Sequence, residues 1–470
     1  MSKRRTKIVC TLGPATASAD AIRALIEAGM DVARLNFSHG DHESHRRTIR
    51  TVRRLSNEIG RQVGILQDLR GPKIRIGQLD GQRTLRSDER IRLVVDAGEE
   101  PDALPIDYSH LIEDVAVGDR ILLADGSVEL LVEDKPGDSL LCRVLAGGEV
   151  QSRKGVNLPS SPLQVPAFTD KDRDDLALGL EEGVDFVALS FVRNERDLEP
   201  VAAVLREKAH PPLLVAKIER PQALDRMDSI LENVDAIMVA RGDLGVEMPL
   251  SKVPLIQKRL INDARRLGRP VITATQMLSS MIHNPQPTRA EVADVANAIL
   301  DGTDAVMLSE ESAIGRFPVE AVRVLHRIAV ATEPHFACEA LMREPISQLL
   351  PQTQAAVGRS ACWLARDLDA AAVVAFTATG STARTVARFR SPYPLIALTP
   401  RQTTERQLAL SWGVTPVLVE SLTETDELFA LARAWTLEHG LATEGARVIL
   451  TAGTPPGIAG GTNLLRVIEI

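Results

Sequence analysis

The sequence predicts an α/β protein in which a (β/α)8 TIM barrel is combined with an inserted β domain and a C-terminal α/β domain. Three observations lead to this prediction. Eight short apolar runs alternate with amphipathic helical patterns, as expected for a barrel of buried parallel strands. The stretch 76–160 breaks that alternation with closely spaced short strands. A second series of strands and helices begins near residue 333.

The composition is that of a globular protein with more than one domain. At 470 residues the chain exceeds what one hydrophobic core usually serves, and 44% of its residues are hydrophobic. No apolar run approaches the ~18 residues of a membrane span and no signal-peptide pattern is visible, so we expect a cytoplasmic protein. The four cysteines are far apart, which predicts no disulfide framework. The net charge of −8 argues against a nucleic-acid partner.

Eight apolar, β-branched runs predict the barrel strands. Helical patterns lie between most of them, and the pattern over 288–300 carries a capping box, Thr288 with Glu291, and a terminating glycine, Gly302. We assign residues 1–75 and 161–332 to the barrel. The predicted strands are Ile8–Leu12, Val32–Phe37, Val63–Leu66, Phe186–Phe191, Leu213–Ile218, Ala236–Ala240, Val271–Thr275 and Ala305–Leu308.

The segment 76–160 is predicted to form a small β-barrel-like lid domain inserted after the third strand. Its predicted strands are Ile91–Val95, Ile121–Ala124, Val128–Val132 and Leu140–Leu145, with a hairpin turn at Asp125-Gly126.

Residues 333–470 are predicted to form a doubly wound α/β domain. Its predicted strands are Ala372–Phe376, Leu395–Leu398, Pro416–Val419, Val448–Leu450 and Leu465–Ile468.

Charged residues follow two consecutive barrel strands at the point where each strand ends. Lys217-Ile-Glu219 closes the fifth strand and Arg241-Gly-Asp243 closes the sixth. Because the carboxyl ends of barrel strands meet at one face, an ammonium group and two carboxylates are expected together there. Such a group suits Mg²⁺ with a phosphorylated substrate, although polar residues are also ordinary in such loops.

The other strand ends are polar as well. They supply Arg34 and Arg75 as further positive charges for a phosphate or carboxylate, and Asp68 at the end of strand three. Thr275 and Ser309 place hydroxyl groups at the ends of strands seven and eight. Random surface polarity would not require polar groups to collect at one end of the barrel.

Several unbroken motifs make the chain resemble the pyruvate kinase family over essentially its whole length. The motifs are Thr11-Leu-Gly-Pro14, Arg34-Leu-Asn-Phe-Ser-His-Gly40, Gly71-Pro-Lys-Ile-Arg75, Lys154-Gly-Val-Asn-Leu-Pro159, Lys217-Ile-Glu219, Met238-Val-Ala-Arg-Gly-Asp-Leu-Gly245, Ala274-Thr-Gln-Met-Leu278, Pro287-Thr-Arg-Ala-Glu291 and Asp294-Val-Ala-Asn297. The resemblance implies phosphoryl transfer from phosphoenolpyruvate to ADP, a step of glycolysis, with a lid domain that excludes water. It also implies a homotetramer.

The resemblance also implies roles for individual residues. Glu219 and Asp243 would hold Mg²⁺ or Mn²⁺, and Lys217 would stabilise the phosphoryl group during its transfer. Arg34 would contact the phosphoryl group, and Arg75 would act from the nucleotide side. The substrate carboxylate would be held by backbone N–H groups near Gly242 and Asp243 and by the Thr275 hydroxyl. The enolate would be protonated through hydroxyls and water near Thr275 and Ser309. The nucleotide side would be lined by Thr11, Pro14, Asn36, His39, Arg75 and Lys154.

A hydroxyl-rich loop after the first strand of the C-terminal domain suits a phosphate. The resemblance implies that this loop holds a phosphorylated allosteric activator, with the glycine-rich stretch 457–463 nearby; a plain helix cap is the alternative reading. Members of the family that respond to a sugar bisphosphate often carry a basic residue near position 439, where this chain has His439. We therefore favour a sugar monophosphate or AMP as the activator. The loop residues are Thr377, Thr379, Gly380, Ser381 and Thr382.

The chain departs from the commonest family pattern at the third strand. Many members carry Glu where Lys73 stands and Thr where Leu69 stands, and those members need K⁺. Asn36, Ser38 and Asp68 retain groups that could hold such an ion, but Lys73 places an ammonium group on the same loop. We therefore expect Lys73 to replace the ion and the enzyme to need no K⁺. Glu310 and Ser312 are further departures, whose effect the sequence does not predict.

Two other classes of function stay open at this point. One is a metal-dependent aldolase or lyase acting on a 2-oxo acid or its enol. The lid domain with Lys154 and the Thr11–Pro14 turn argues against it, because a lyase needs no nucleotide site. The other is an inactive metabolite sensor, which would have no need for Lys217, Glu219, Asp243 and Thr275 together.

Overall fold

The computed structural model describes residues 4–95, 102–124, 126–161, 164–420, 425–454 and 461–470. Asp125 of the predicted hairpin turn and residues 457–460 of the glycine-rich stretch lie outside them.

All eight predicted barrel strands form, and they close into a parallel barrel. Each strand pairs with its neighbours along the chain, and the eighth pairs with the first, as Lys7 opposite Ala305 shows. The strands are Lys7–Leu12, Val32–Asn36, Gly64–Asp68, Phe186–Leu189, Leu213–Ile218, Ala236–Ala240, Val271–Ala274 and Ala305–Leu308, numbered one to eight below.

Side chains alternate along each strand between two apolar layers. In strand one, Val9 faces the barrel interior, where it joins Phe186 and Met238, whereas Ile8 and Cys10 join the layer beneath the outer helices. Both faces are therefore buried, which is why the strands read as continuous apolar runs. The helices of this part of the chain are Ala19–Ala28, His42–Ile59, Asp170–Glu181, Glu199–Arg206, Pro221–Leu224, Met227–Glu232, Arg241–Glu247, Val253–Arg266, Arg289–Asp301, Glu310–Ala313 and Pro318–Thr332.

Helix Arg289–Asp301 begins and ends as the sequence predicts. The Thr288 hydroxyl accepts a hydrogen bond from Glu291 N, and the Glu291 carboxylate accepts one from Thr288 N. Gly302 ends the helix with a φ of 96°, which a side chain would disfavour.

Four aspartates, which we call the aspartate ring, stand immediately before the even-numbered strands. Each accepts a hydrogen bond from a backbone N–H of the preceding odd-numbered strand, so it satisfies a donor at the N-terminal end of the barrel. The acceptor and donor residues are Asp31 and Ile8, at 2.8 Å; Asp185 and Ile65, at 2.7 Å; Asp235 and Leu214, at 3.0 Å; and Asp304 and Val271, at 3.1 Å. Arginines pair with all four: Arg4 and Arg61 with Asp31, Arg53 with Asp185, Arg269 with Asp235, and Arg390 with Asp304.

The inserted segment forms a nearly closed second sheet. Its seven strands, in spatial order, are Val156–Asn157, Arg120–Leu123, Val128–Asp134, Ser139–Ala146, Arg90–Val94, Leu104–Asp107 and Arg75–Ile76. A bridge between Arg75 and Gly155 brings the two edges together. Arg83–Leu85 pairs with Gly148–Val150, and one short helix spans Leu111–Asp114. Arg75, assigned to the barrel from sequence, pairs within this sheet, and the exact domain bounds stay a prediction.

The C-terminal segment forms a five-stranded sheet with helices on both faces. Val373 and Ala375 pack toward helix Gln352–Asp367, whereas Val374 and Phe376 pack toward helix Thr425–Glu438. The strands, in spatial order, are Val414–Leu418, Leu395–Thr399, Ala372–Phe376, Arg447–Gly453 and Thr462–Glu469. The first four are parallel, and the last is an antiparallel edge strand, a direction that the sequence did not specify. The other helices are Cys338–Arg343, Ser381–Ala387 and Gln402–Gln407.

Candidate active site

The centre of the site is a buried ion network at the C-terminal ends of strands two, three and five. The Lys217 ammonium lies 2.8 Å from Glu219 Oε1 and 3.2 Å from Asp68 Oδ1. It also donates to Ser190 Oγ at 2.7 Å. Arg34 Nε donates to Asp68 Oδ2 at 2.7 Å. The Asp68 carboxylate therefore holds the two cations side by side.

The charges in this network stabilise each other. Burial alone would lower the pKa of Lys217, but the carboxylates of Asp68 and Glu219 outweigh burial and raise it above its ordinary value. Burial alone would raise the pKa of Asp68, but Lys217 and Arg34 outweigh it and lower the value. Lys217 is thus held as an ammonium ion in a largely enclosed site, where its charge is little screened by solvent.

Glu219 and Asp243 form a pair of carboxylates that suits a hard cation. Burial raises the pKa of Glu219; Lys217 opposes this rise, and the negative charge of Asp243 adds to it. Glu219 Oε2 also accepts a hydrogen bond from Phe191 N at 2.8 Å. Among the described residues, no group of three or more acidic, histidine or cysteine side chains forms a complete metal cage. Two carboxylates suit Mg²⁺ where a substrate and water supply its remaining oxygen ligands.

The end of strand seven is held in a conformation that non-glycine residues rarely adopt. Thr275 has a φ of 69° and Gln276 a φ of 55°. Gly242 N donates to Thr275 Oγ1 at 2.7 Å, so the Thr275 hydroxyl lies against the start of helix Arg241–Glu247. Arg241 donates to Thr275 O at 2.8 Å and pairs with Asp294 at 2.7 Å.

Arg241 and Asp294 therefore support the strained loop, a role that the sequence analysis missed. Both residues stand within the quoted motifs, but nothing in their spacing shows that the two side chains meet.

The Glu311 carboxylate joins the ends of strands seven and eight. It accepts hydrogen bonds from Ser309 N at 2.8 Å and from Leu278 N at 3.0 Å, and its side chain is buried. Ser312 Oγ donates to Thr11 O at 2.8 Å, which ties strand one to the same corner. Glu310 is exposed at the surface. Glu311 was not predicted from sequence, because the Glu-Glu pair does not show which of the two carboxylates faces inward.

A polar cleft of about 780 Å³ opens between the barrel and the inserted sheet. His39 and Arg75 line it, as do Arg70 and Arg153, which the sequence analysis did not single out. Burial lowers the pKa of His39, and the charges of Arg75 and Lys73 add to this effect. Three arginines against the one carboxylate of Asp107 give the lining a net positive charge, which suits a polyphosphate.

The other residues predicted for the nucleotide side lie apart from the lining of this cleft. Thr11 belongs to the buried network, where Arg34 Nη1 donates to Thr11 Oγ1 at 2.7 Å. Asn36 is half-buried and its Oδ1 accepts a hydrogen bond from Ser38 N at 3.1 Å. Pro14 and Lys154 are exposed.

The loop after strand three bears on the question of a monovalent cation. Leu69 is completely buried and offers no oxygen ligand from its side chain. Lys73 is exposed and, within the described part of the chain, has no ion-pair partner. Asp68 already pairs with Arg34 and Lys217.

The hydroxyl-rich loop of the C-terminal domain is partly engaged in internal bonds. Gly380 has a φ of 82° and precedes helix Ser381–Ala387. Thr382 is buried and its hydroxyl lies 2.7 Å from that of Thr462. Ser381 Oγ accepts a hydrogen bond from Gln354 at 3.2 Å. Thr377 is also buried, whereas Thr379 is half-buried.

Comparison with known proteins gives the same picture over both parts of the chain. Residues 3–322 match the family model described as the barrel domain of pyruvate kinase, and residues 355–468 match that of its alpha/beta domain. Pyruvate kinase 2 of Synechocystis sp. is 48% identical over 99% of this chain and 79% of its own length. The pyruvate kinase of Mycobacterium intracellulare is 46% identical over 99% and 98%, and that of Corynebacterium glutamicum is 47% identical over 99% and 97%. In the described residues no helix is both long enough and apolar enough to span a membrane.

Proposed function

Because the chain belongs to the pyruvate kinase family and is a phosphotransferase of that kind, we propose that it transfers the phosphoryl group of phosphoenolpyruvate to ADP at the ion network around Lys217. The observation that carries this proposal is the Lys217 ammonium, held 2.8 Å from Glu219 and 3.2 Å from Asp68. This fixed positive charge is preorganised for the charge that develops on a transferring phosphoryl group.

Two cations would contact the phosphoryl group, and two carboxylates would hold the metal. Arg34 and Lys217 both pair with Asp68, so the guanidinium and ammonium groups lie close enough to contact the same phosphoryl group. Glu219 and Asp243 would hold Mg²⁺, which the family generally uses, or Mn²⁺. When bound, the ion supplies positive charge for the substrate oxygens and for the departing enolate. The raised pKa of Glu219 favours this assignment, because a cation would relieve the repulsion from Asp243.

The substrate carboxylate would bind beside Thr275, at the start of helix Arg241–Glu247. The Gly242 and Asp243 N–H groups lie at this helix end, where free donors favour an anion. Gly242 N donates to Thr275 Oγ1 without substrate, so we expect a carboxylate to exchange for that bond. The Thr275 hydroxyl, which donates to Ala274 O at 2.6 Å without substrate, would have to turn from that carbonyl to act, together with Ser309 and water, in delivering a proton to the enolate carbon.

The nucleotide would occupy the cationic cleft between the barrel and the inserted sheet. Arg75 and His39 line the cleft, and Arg70 and Arg153 add positive charge for the phosphates. We keep Thr11, Pro14, Asn36 and Lys154 as further residues of the nucleotide side. Movement of the inserted domain would close the cleft and exclude water, which protects phosphoryl transfer from hydrolysis.

We further propose that the enzyme needs no K⁺. Arg34 and Lys217 already neutralise Asp68, and Leu69 offers no side-chain oxygen. Lys73 carries a positive charge on the same loop, near enough to His39 to lower its pKa. A second cation beside an ammonium group would be repelled by roughly 4 kcal/mol at 4 Å and an effective dielectric of ~20.

A phosphorylated effector would bind the loop Thr377–Thr382, which supplies hydroxyls and backbone N–H groups at the start of helix Ser381–Ala387. We favour a sugar monophosphate or AMP. Ser381 Oγ accepts a hydrogen bond from Gln354, so its hydroxyl can still donate to a phosphate, whereas the Thr382 hydroxyl is engaged with Thr462 and that residue would contribute its backbone N–H. Titration of each compound at subsaturating phosphoenolpyruvate tests this, and no response to any of them would overturn it.

The direct test of the function is an assay of pyruvate formation with phosphoenolpyruvate, ADP and Mg²⁺. We expect turnover that requires all three. Pyruvate formation that does not depend on ADP would contradict phosphoryl transfer and restore the lyase alternative. Complete inactivity with effector binding intact would favour the sensor alternative.

A further inference from the structure

A cluster of arginines lies at the opposite end of the barrel, where the C-terminal domain meets the aspartate ring. Asp304, immediately before strand eight, forms an ion pair with Arg390, whose Nη2 lies 2.7 Å from Asp304 Oδ2. It also accepts hydrogen bonds from Val271 N at 3.1 Å and Trp412 N at 3.0 Å. Asp304 and Arg390 are both buried, so this ion pair joins the two domains away from solvent.

The cluster carries more positive than negative charge. Five arginines and a single carboxylate line a small cleft at this junction; the arginines are Arg265, Arg269, Arg384, Arg388 and Arg390, and the carboxylate is Asp304. Arg265 pairs with Glu344 at 3.0 Å, and Arg269 lies 3.9 Å from Asp235.

Arg384 and Arg388 have no carboxylate partner among the residues that the structure describes. Arg388 donates to Arg266 O at 2.7 Å, and Arg384 donates to Thr379 O at 3.0 Å. Burial, reinforced by the nearby charge of Arg265, lowers the pKa of Arg388 to about 10, and burial also lowers the pKa of Arg384. Both guanidinium groups are thus withdrawn from water with no carboxylate in direct contact among the described residues. Asp235 and Glu344 offset the effect of burial only in part, so a closer counter-charge would be favourable.

The same cleft contains buried polar atoms that lack a partner. Ser411 is 1% exposed, and its hydroxyl makes no hydrogen bond to the described residues. Arg390 is 3% exposed, and its Nε is also unpartnered. Buried donors in folded proteins are nearly always satisfied, so an occupant of the cleft is expected. The cleft has a volume of about 10 Å³, which is room for one occupant of about the size of a water molecule.

We propose that this arginine cleft binds a small inorganic anion of the size of chloride at the junction of the barrel and the C-terminal domain. An anion would supply the missing negative charge to Arg384 and Arg388 and accept hydrogen bonds from Ser411 Oγ and Arg390 Nε. A water molecule would satisfy the hydroxyl but leave the charge uncompensated. A phosphate is too large for this space without displacement of the side chains.

Anomalous diffraction locates the ion directly. Crystals grown without halide and soaked in sodium bromide are measured at the bromine absorption edge. We expect one strong peak in contact with Ser411, Arg390 and at least one of Arg384 and Arg388. Bromide at surface sites alone, with water or no density in the cleft, would show an adventitious ion only and would overturn the proposal.

A solution experiment tests whether the ion stabilises the protein. The unfolding midpoint is measured against chloride concentration, with ionic strength kept constant by sodium gluconate, whose anion is too large for the cleft. We expect a saturable rise with chloride. Arg388→Met should raise the half-effect concentration by about tenfold or more, because it removes a charged donor, whereas the exposed Arg433→Met should not.

Equal chloride dependence in the wild type and Arg388→Met would contradict the site. If Arg388→Met does not fold, Ser411→Ala replaces it. That variant retains every charge and should raise the half-effect concentration about threefold, and an unchanged value would likewise contradict the site.

Discussion

Each end of the barrel contains a buried aspartate–arginine ion pair, but the two pairs have different roles. At the C-terminal end Asp68 pairs with Arg34, and at the N-terminal end Asp304 pairs with Arg390, each at 2.7 Å and each buried. Asp68 shares its second oxygen with Lys217, which also contacts Glu219 beside the proposed metal position. Asp304 uses its remaining bonding capacity on the backbone N–H groups of Val271 and Trp412.

The difference shows what makes a buried ion pair reactive or structural. A carboxylate that orients two cationic side chains leaves their remaining donors able to contact a ligand, and this is the arrangement around Asp68. A carboxylate bonded to two backbone groups fixes the chain itself, as Asp304 does between the two domains. Strand C-termini carry the chemistry in barrels of this kind and strand N-termini carry stability, and the two aspartates follow that division.

Removal of a metal-binding carboxylate should have the largest effect. Glu219→Gln or Asp243→Asn is expected to lower kcat by at least ~10², because each removes a ligand and a charge from the preorganised site. Titration with Mn²⁺, followed by its paramagnetic signal, should show weaker metal binding in both variants. The exposed Glu232→Gln is the matched control. Normal turnover and metal affinity in both site variants would refute the metal assignment.

Asp304→Asn should act on stability instead of chemistry. The variant leaves Arg390 buried without its charge partner, which we expect to lower the free energy of unfolding by about 3 kcal/mol. Denaturant unfolding measures this loss, with the exposed Asp228→Asn as control. We expect kcat to stay within about threefold of wild type. A large loss of kcat in Asp304→Asn with unchanged stability would break the distinction between the two ends.

Asp31 of the aspartate ring also predicts a pH dependence. Burial alone would raise the pKa of Asp31, but Arg4, Lys7 and Arg61 outweigh it and lower the value from 3.8 to about 2. A carboxyl group with a depressed pKa in the folded state stabilises the fold above its unfolded pKa, and this stabilisation is lost as the pH falls toward 2. It should amount to roughly 2 kcal/mol.

Asp31→Asn tests this dependence. Unfolding free energies measured between pH 5 and 2 should fall less steeply for the variant than for wild type. Parallel curves would show that Asp31 does not titrate as its contacts require.

The smallest expected effect is that of K⁺ on the wild-type enzyme. In buffer with a bulky organic cation, addition of K⁺ should change kcat by less than about threefold, since Lys73 already supplies a positive charge. Lys73→Glu combined with Leu69→Thr should make the enzyme more dependent on K⁺, and Lys73→Met serves as the control for loss of charge alone. Tenfold activation of wild type would contradict the proposal.

The barrel could be predicted from sequence because its strands are buried on both faces. All eight apolar runs correspond to strands, with ends that differ from the structure by at most two residues. The helix cap at Thr288 was predictable for a similar reason, since it depends on residues three positions apart.

Features that depend on distant residues could not be predicted in this way. The members of the aspartate ring are irregularly spaced along the chain, so no sequence period shows their common position. The partnership of Arg241 with Asp294 and the inward direction of Glu311 likewise follow from packing between separate elements. Residues at strand ends were easier to find, because strand order alone brings Lys217, Glu219 and Asp243 together.

Kinetic measurement of Lys217→Met tests most directly whether the network around Lys217 stabilises phosphoryl transfer. We expect kcat to fall by at least ~10², with KM for phosphoenolpyruvate changed by less than about threefold and the unfolding midpoint close to that of wild type. The exposed Lys208→Met should leave all three quantities unchanged. An increase in KM with kcat unaffected would show that Lys217 only binds substrate, and would contradict its place at the centre of the reaction.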